Sequence, residues 1–400
     1  MKALFLTNEF PPNIYGGAGI HVEYLTRELA KLIEVEVRCF GNQATKEGNL
    51  VAKGFQFDKK SFEKCDAKLK SPLTALSNCI AFNSEPVDAQ VVHCHTWYTH
   101  FGGLLAQTGY GIPLVITTHS LEPLRPWKRE QLGLGYDLST WIEKTALERA
   151  DAIISVSHGM KEDILKLFNV DERRIQVINN GIDTDEFRPV SGTESLKRYG
   201  IDPDIPYVLF VGRVTRQKGI IHLVNAINYI DDDVQIVLCA GQPDTPEIGR
   251  EMTERVQAVQ RSRKNVIWIS EWVNTQSKIE LYSHAAVFCC PSIYEPFGII
   301  NLEAMACATP VVGSAVGGIK EIIVHGETGY LVVLDQHQES PFEARNPDQF
   351  AHDLAEPINK IVADDSLRKA MGEASRKRAE ALFSWKSIAK EVLALYQSLT

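Results

Sequence analysis

The chain has 400 residues, 44% of them hydrophobic and 23% charged, with a formal net charge of −9. That length suits two domains of ordinary size, each with its own buried core. The acidic balance excludes bulk nucleic-acid or anionic-membrane binding as the main role, while leaving room for local basic clusters.

Lys2 and the apolar run 3–6, followed by Thr7-Asn8-Glu9, are too short for a signal peptide and predict a first buried strand. Residues 20–33 predict a helix, with Val22, Leu25, Leu29 and Leu32 at helical spacing. Strands are expected at 35–40, 90–94, 114–118, 152–156 and 175–178, with helical patterns between most of them, clearest at 138–149 and 160–168. Near-continuous apolar strands alternating with helices imply a parallel sheet covered on both faces. Phe187-Arg-Pro189 and the polar stretch 190–193 read as a linker. A second series begins at 207–211 and continues at 234–240, 265–269, 286–290 and 310–312. The fold class is therefore α/β, with two Rossmann-like doubly wound domains in tandem. Residues 335–340 read as a surface loop. The tail beyond Asn346 reads as helical, with Pro357 kinking the chain between helices.

No stretch approaches the length of a membrane span. The cysteines (Cys39, Cys65, Cys79, Cys94, Cys239, Cys289, Cys290 and Cys307) form no C-x-x-C pair and sit mostly in apolar runs. They read as buried free thiols in a reducing compartment, so a cytoplasmic protein is expected.

Ligands of open α/β sheets collect at the carboxyl ends of strands. After the first strand runs Glu9-Phe-Pro-Pro-Asn-Ile-Tyr15-Gly16-Gly17-Ala-Gly19, leading into a helix. The paired glycines let amides approach a ligand, and a helix N-terminus favours an anion. The same turn serves equally well as mere strand–helix geometry, and it is neither G-x-G-x-x-G nor a P-loop. Gly212-Arg213-Val-Thr-Arg-Gln-Lys218-Gly219 follows the first strand of the second series. Arg213 offers a planar fork and Lys218 a compact charge for phosphate oxygens; the alternative is a solvated basic turn.

The most specific motif is Pro291-Ser-Ile-Tyr-Glu295-Pro-Phe297-Gly298-Ile299-Ile-Asn-Leu-Glu303. A helix starting near Phe297 sets Glu303 less than two turns in, and its amino end aims amides at a sugar or phosphate. Thr117-Thr-His119-Ser ends another strand. Arg125, Lys128 and Arg129 follow, reading either as a hold for an anionic acceptor or as surface solvation. His93 and His95 alternate at a further strand end. With no third ligand evident nearby, a metal reading is set aside, and both read as structural or acceptor-side polar residues. Asp183-Thr-Asp185, Asp202-Pro-Asp204 and Asp231-Asp-Asp233 read as turns or linkers rather than metal ligands.

Together the Gly16-Gly17 loop, Arg213…Lys218 and the spaced pair Glu295 and Glu303 resemble the group 1 retaining glycosyltransferases with the GT-B fold, over nearly the whole chain. In that fold two Rossmann-like domains face a central cleft. Glu9-Phe-Pro-Pro…Tyr15-Gly-Gly-Ala-Gly-Ile-His21-Val and Thr118-His119-Ser-Leu-Glu-Pro-Leu-Arg125-Pro-Trp-Lys128-Arg129 are similar to actinobacterial-type glycogen synthases. These include enzymes that make α-maltose 1-phosphate from ADP-glucose and glucose 1-phosphate.

The resemblance implies a metal-independent hexosyltransferase without cofactor. Its partners would be a nucleotide-glucose donor and a glucose 1-phosphate or α-glucan acceptor, with no nucleic acid and no membrane span; homo-oligomerisation stays open. It implies an acceptor-side domain over 1–188, to which a helix at 385–400 returns, and a donor domain over 189–384. Arg213 and Lys218 would bind the donor diphosphate, approached also by Gly16 and Gly17. Glu303 would hold the ribose hydroxyls, and Glu295 would sit beside the transferred hexose. Amides of Phe297, Gly298 and Ile299 would meet sugar hydroxyls or phosphate, and Asn274 would stand in the loop that reads the base. His119 would hydrogen-bond the donor sugar, completing a catalytic set of His119, Glu295, Arg213 and Lys218. Glu9, Tyr15, Arg125, Lys128 and Arg129 would face the acceptor.

One departure bears on the acceptor. Long-polymer synthases carry a lysine shortly before the paired glycines, where Asn13-Ile-Tyr15 stands here, which favours the maltosyl-phosphate type. Rival readings are a sucrose-type or glycolipid transferase, a GT-B nucleotide-sugar epimerase, and a sugar-responsive binding protein without turnover.

Overall fold

The computed structural model describes residues 1–57, 62–337 and 342–400. The chain divides into two compact units: Met1–Gly181 with Trp385–Thr400, and Ile182–Ser384.

Unit 1 is built on β1 (Lys2–Thr7), β2 (Glu34–Phe40), β3 (Ala44–Glu47), β4 (Leu50–Phe55), β5 (Val91–His95), β6 (Leu114–Thr118), β7 (Ala152–Ser155) and β8 (Ile175–Val177). They form one sheet in the order β3-β4-β2-β1-β5-β6-β7-β8. All pairs are parallel except the β3–β4 hairpin. Strand order reverses at β1, which has β2 on one side and β5 on the other, so ligand-binding loops are expected after β1 and β5. Residues Ala3 to Leu6 of β1 are almost wholly removed from solvent. Burying a Leu or Phe side chain stabilises by about 1.5–3 kcal/mol, which is why these runs carry no polar alternation. The helix Trp385–Leu399 buries Trp385, Ile388, Ala389, Val392 and Tyr396 in the same core as Val22, Leu25 and Leu29.

Unit 2 contains β9 (Tyr207–Val214), β10 (Gln235–Pro243), β11 (Val266–Ile269), β12 (Val287–Cys290), β13 (Val311–Ser314) and β14 (Gly329–Val332). This sheet is wholly parallel, ordered β11-β10-β9-β12-β13-β14, and reverses at β9.

Three details differ from the sequence reading, and a fourth cannot be compared. The unit boundary lies at 181/182 rather than 188/189, because the intervening residues belong to unit 2 by hydrogen bonding. The Ile182 amide donates to the Phe383 carbonyl, and Arg376 donates to the carbonyls of Thr184 and Phe187. Pro357 does not separate helices: it sits inside the helix Pro347–Ala363, where buried Leu354, Ala355, Ile358 and Ile361 hold both flanking turns. The first helix, Gly17–Leu29, stops short of residue 33. Of the loop read at 335–340, residues 338–340 lie outside the described residues. Among the described residues no helix is long and apolar enough to cross a membrane.

Candidate active site

In unit 2 the loops after β9 and β12 are pressed together. Gly219 has φ +60, and a Cβ there would fall 1.9 Å from the Pro291 carbonyl oxygen, so only glycine fits the turn. The Ile293 amide donates to the Gln217 carbonyl at 3.0 Å. This contact brings the Lys218 ammonium to 2.6 Å from the buried Glu295 carboxylate, on the oxygen that also accepts from Ser292 at 3.1 Å. Gly298, with φ +103, turns the chain into the helix Ile299–Ala306, whose amino end directs backbone N–H groups outward, the Asn301 amide donating to the Gly298 carbonyl. Glu303 stands buried on that helix. It accepts from the Tyr282 hydroxyl at 2.9 Å and pairs with Lys278 at 3.3 Å. Burial and the neighbouring Glu303 hold the Tyr282 phenol well above its ordinary range, so it stays a donor. Arg213, about half exposed, pairs with Asp244 beyond β10 at 2.7 Å.

Thus each candidate cation at the ends of β9 and β12 faces a carboxylate before any ligand is added. Such an arrangement suits a polyanion, because guanidinium and ammonium groups are already aimed and desolvation is partly complete. The remaining donor-side residue, Asn274, caps the helix Thr275–His284 by accepting the Ser277 amide. Lys278, Tyr282 and Asp244 were missed by the sequence reading. Lys278 and Tyr282 lie one turn apart on that helix, a spacing that was available as a signal.

In unit 1 the loop after β1 is held from within. The Glu9 carboxylate accepts the amides of Tyr15 and Gly16, both at 2.9 Å, so Glu9 shapes the loop and occupies amides expected to meet a ligand. Gly16 has an extended φ of −157, and a Cβ there would meet nothing within 4 Å. Packing within the chain does not demand its glycine. Tyr15 is exposed.

The basic cluster is partly neutralised. Arg129 makes a two-pronged pair with Asp137, and Arg125 lies 3.6 Å from buried Glu122 while donating to Ser120. Lys128 opens the short helix Lys128–Leu132 next to them.

The largest correction concerns histidines. The expectation of no further ligand nearby fails for His95 but not for His93, because parallel register carries residues distant in sequence to one place. His95 closes β5, opposite Thr117 of β6, and His119 follows two residues later. His21 reaches the same point from the helix Gly17–Leu29. Nitrogens of His21, His95 and His119 lie within 4.8 Å of one another. His95 Nδ1 and His119 Nε2 are hydrogen-bonded at 3.0 Å, and His21 Nδ1 bonds Asn180 Oδ1 at 2.7 Å. His93 turns away from the trio, bonding Tyr396 and Thr117. Burial lowers the pKa of His21 to about 4, and pushes those of His95 and His119 well below the usual imidazole range, with neighbouring histidines adding to it. All three rings are neutral near pH 7. Of the aspartate runs, Asp183 and Asp202 accept amides of their own turns.

The model for Glycosyltransferase Family 4 matches residues 15–186, and that for Glycosyl transferases group 1 matches 192–378. The chain is 46% identical to the alpha-maltose-1-phosphate synthase of Mycolicibacterium smegmatis and 44% identical to that of Mycobacterium tuberculosis, covering 100% of both chains in each case. Among solved structures, the sucrose-phosphate synthase of Thermosynechococcus elongatus superposes with a TM-score of 0.78 at 24% identity, over 100% of this chain and 99% of that one. The chain belongs to the group 1 glycosyltransferases and has their GT-B fold. It is an enzyme of glycosyl transfer.

Proposed function

We propose that the chain is a retaining α-glucosyltransferase that moves glucose from a nucleotide-glucose, ADP-glucose foremost, and forms an α-1,4 bond in maltose 1-phosphate or glycogen synthesis. The first acceptor to test is glucose 1-phosphate. The observation that carries this reading is the end-to-end identity with two proteins named alpha-maltose-1-phosphate synthase.

The geometry supports it. Cleavage of the anomeric C1–O bond leaves negative charge on the departing diphosphate. Arg213, Lys218 and the opening amides of Ile299–Ala306 are fixed donors for that charge, so the chemistry requires no metal. Glu303, a buried carboxylate, is suited to accept the ribose hydroxyls. The acceptor hydroxyl attacks from the face the diphosphate leaves, its proton passes to a leaving phosphate oxygen, and the new C1–O bond keeps the anomer. Glu295, fixed by Lys218 and Ser292, orients the hexose without bonding to it. His119 offers a neutral imidazole to a sugar hydroxyl. Trapping of a glycosyl adduct on Glu295 would contradict this route.

The deciding assay measures nucleoside diphosphate release from ADP-, UDP- and GDP-glucose, each alone, with glucose 1-phosphate and with glucan, and the product anomer by NMR. ADP release only with glucose 1-phosphate, giving an α-linked product, is expected. Release only with glucan points to polymer elongation, donor conversion without acceptor to an epimerase, and no turnover to a binding protein.

A further inference from the structure

Three imidazoles gathered in one buried spot are more than hydrogen donation to a sugar requires. His21 and His95 are each almost wholly buried, and their Nε2 atoms have no hydrogen-bond partner. Buried polar nitrogens of this kind are normally satisfied. We propose that His21, His95 and His119 form a site for a borderline divalent transition-metal ion of the Zn2+ type, whose binding removes His119 from the sugar and so inhibits turnover.

The chemistry of the donor set chooses the ion class. Among the described residues the cluster holds imidazoles and no carboxylate. That disfavours Mg2+ and Ca2+, which take oxygen ligands, and suits Zn2+, Co2+, Ni2+ or Cu2+. Asn180 acts as an outer-shell partner. Its side-chain oxygen accepts from His21 Nδ1–H, which fixes the tautomer and turns the Nε2 lone pair to the cluster. Phe5 stacks on His95 and the Trp385 ring stands edge-on to His21, holding both rings in place. Tetrahedral Zn–N bonds of about 2.0–2.1 Å put ligand nitrogens roughly 3.4 Å apart. The present spread, up to 4.8 Å, has to narrow by roughly 1.4 Å when an ion binds. His119, only half-buried, is the ring at the rim and gives the ion its entry. Three ligands leave a fourth position for water.

The site itself stands without the glucosyl-transfer reading; only the inhibitory consequence rests on it. The test is therefore binding, read on the full chain without substrates. Zn2+ is titrated against a chromophoric chelator, and Co2+ against the visible bands of a tetrahedral complex. One equivalent per chain is expected for the wild type, with affinity falling at least 100-fold in His21→Gln and in His119→Ala. The exposed-residue control His352→Ala is expected to bind like wild type. Absence of stoichiometric binding at micromolar metal overturns the proposal, as does wild-type binding by His119→Ala. Should His21→Gln fail to fold, His119→Ala at the rim decides alone. A transferase assay with Zn2+, then with chelator, reads the inhibition separately. Binding without inhibition would discard the role assigned to His119 and keep the site.

Discussion

At the strand ends of unit 2, cations are held by carboxylates: Lys218 by Glu295, Lys278 by Glu303, Arg213 by Asp244. At the strand ends of unit 1 stand three imidazoles with no formal charge, two of them buried and flanked by aromatic rings. Both arrangements prepare a polar site before its ligand arrives, by different means. Ion pairing fixes charged groups at the cost of burying them, so removing one partner strands the other. Burial of neutral rings avoids that penalty but makes the site answer to protons and to metals. The two regions should therefore fail differently, one to charge deletion and the other to pH.

The largest effect is expected at Lys218. Lys218→Ala should lower kcat/KM by about 10³, on the order of 4 kcal/mol of lost transition-state stabilisation. It should also cost about 3 kcal/mol of stability, because Glu295 remains buried without its cation. Adding Glu295→Gln should recover much of the stability in urea melts and none of the activity. If activity returned with stability, the pair would be structural and its assignment to the diphosphate wrong.

The next effect tests the unit 1 side of the contrast. His21 titrates near pH 4 in the folded chain and near the ordinary imidazole value when unfolded. Between those values the unfolded chain takes up a proton that the folded chain refuses. The stability linked to His21 is therefore fully present above about pH 6.5 and is lost as pH falls toward 4, in total about 3 kcal/mol. His95 and His119 shift in the same direction and steepen the loss. Urea melts between pH 7.5 and 4.5 measure the slope, and His21→Gln should flatten it. A slope unchanged by that substitution would place the acid sensitivity elsewhere.

Gly16 separates fold from ligand more finely. Since a Cβ there meets open space, Gly16→Ala should leave the melting temperature nearly unchanged while raising the donor KM about tenfold, roughly 1.4 kcal/mol. Gly219→Ala, colliding with the Pro291 carbonyl, should instead destabilise the chain. An unaltered KM in Gly16→Ala would mean that the loop serves shape alone.

The contrast also explains what could be read from sequence. Most strands of both sheets were legible because parallel strands buried on two faces are continuous apolar runs; Leu50–Phe55 and Gly329–Val332, which mix buried with partly or fully exposed positions, were not. Nor was the hairpin strand Ala44–Glu47, since all its residues are exposed and none is a large apolar one. The helix Pro347–Ala363 runs through Pro357 because buried neighbours outweigh a local cost of about 3 kcal/mol. The charged site of unit 2 announced itself because Glu295, Phe297, Gly298 and Glu303 share one short segment. The histidine trio had no such segment. His21, His95, His119 and Asn180 meet only through sheet register and the return of the chain after β8, and nothing local in the sequence marks that meeting.

The smallest effect is expected at the most exposed of the ion pairs. Arg213 is about half exposed, so its pair with Asp244 contributes under about 1 kcal/mol to stability after solvent screening. On the proposed donor assignment its consequence lies in binding: a donor phosphate would compete with Asp244 for Arg213, and that competition would raise the donor KM. Asp244→Asn removes the competing charge and keeps the shape. Donor KM should fall two- to threefold, less than about 1 kcal/mol, with melting temperature unchanged and the benefit shrinking as salt rises. The same change at a buried pair, Glu303→Gln, should act in the opposite sense and weaken donor binding. If Asp244→Asn also weakened binding, Asp244 would be holding Arg213 in its working position, and exposed and buried pairs in unit 2 would share one role.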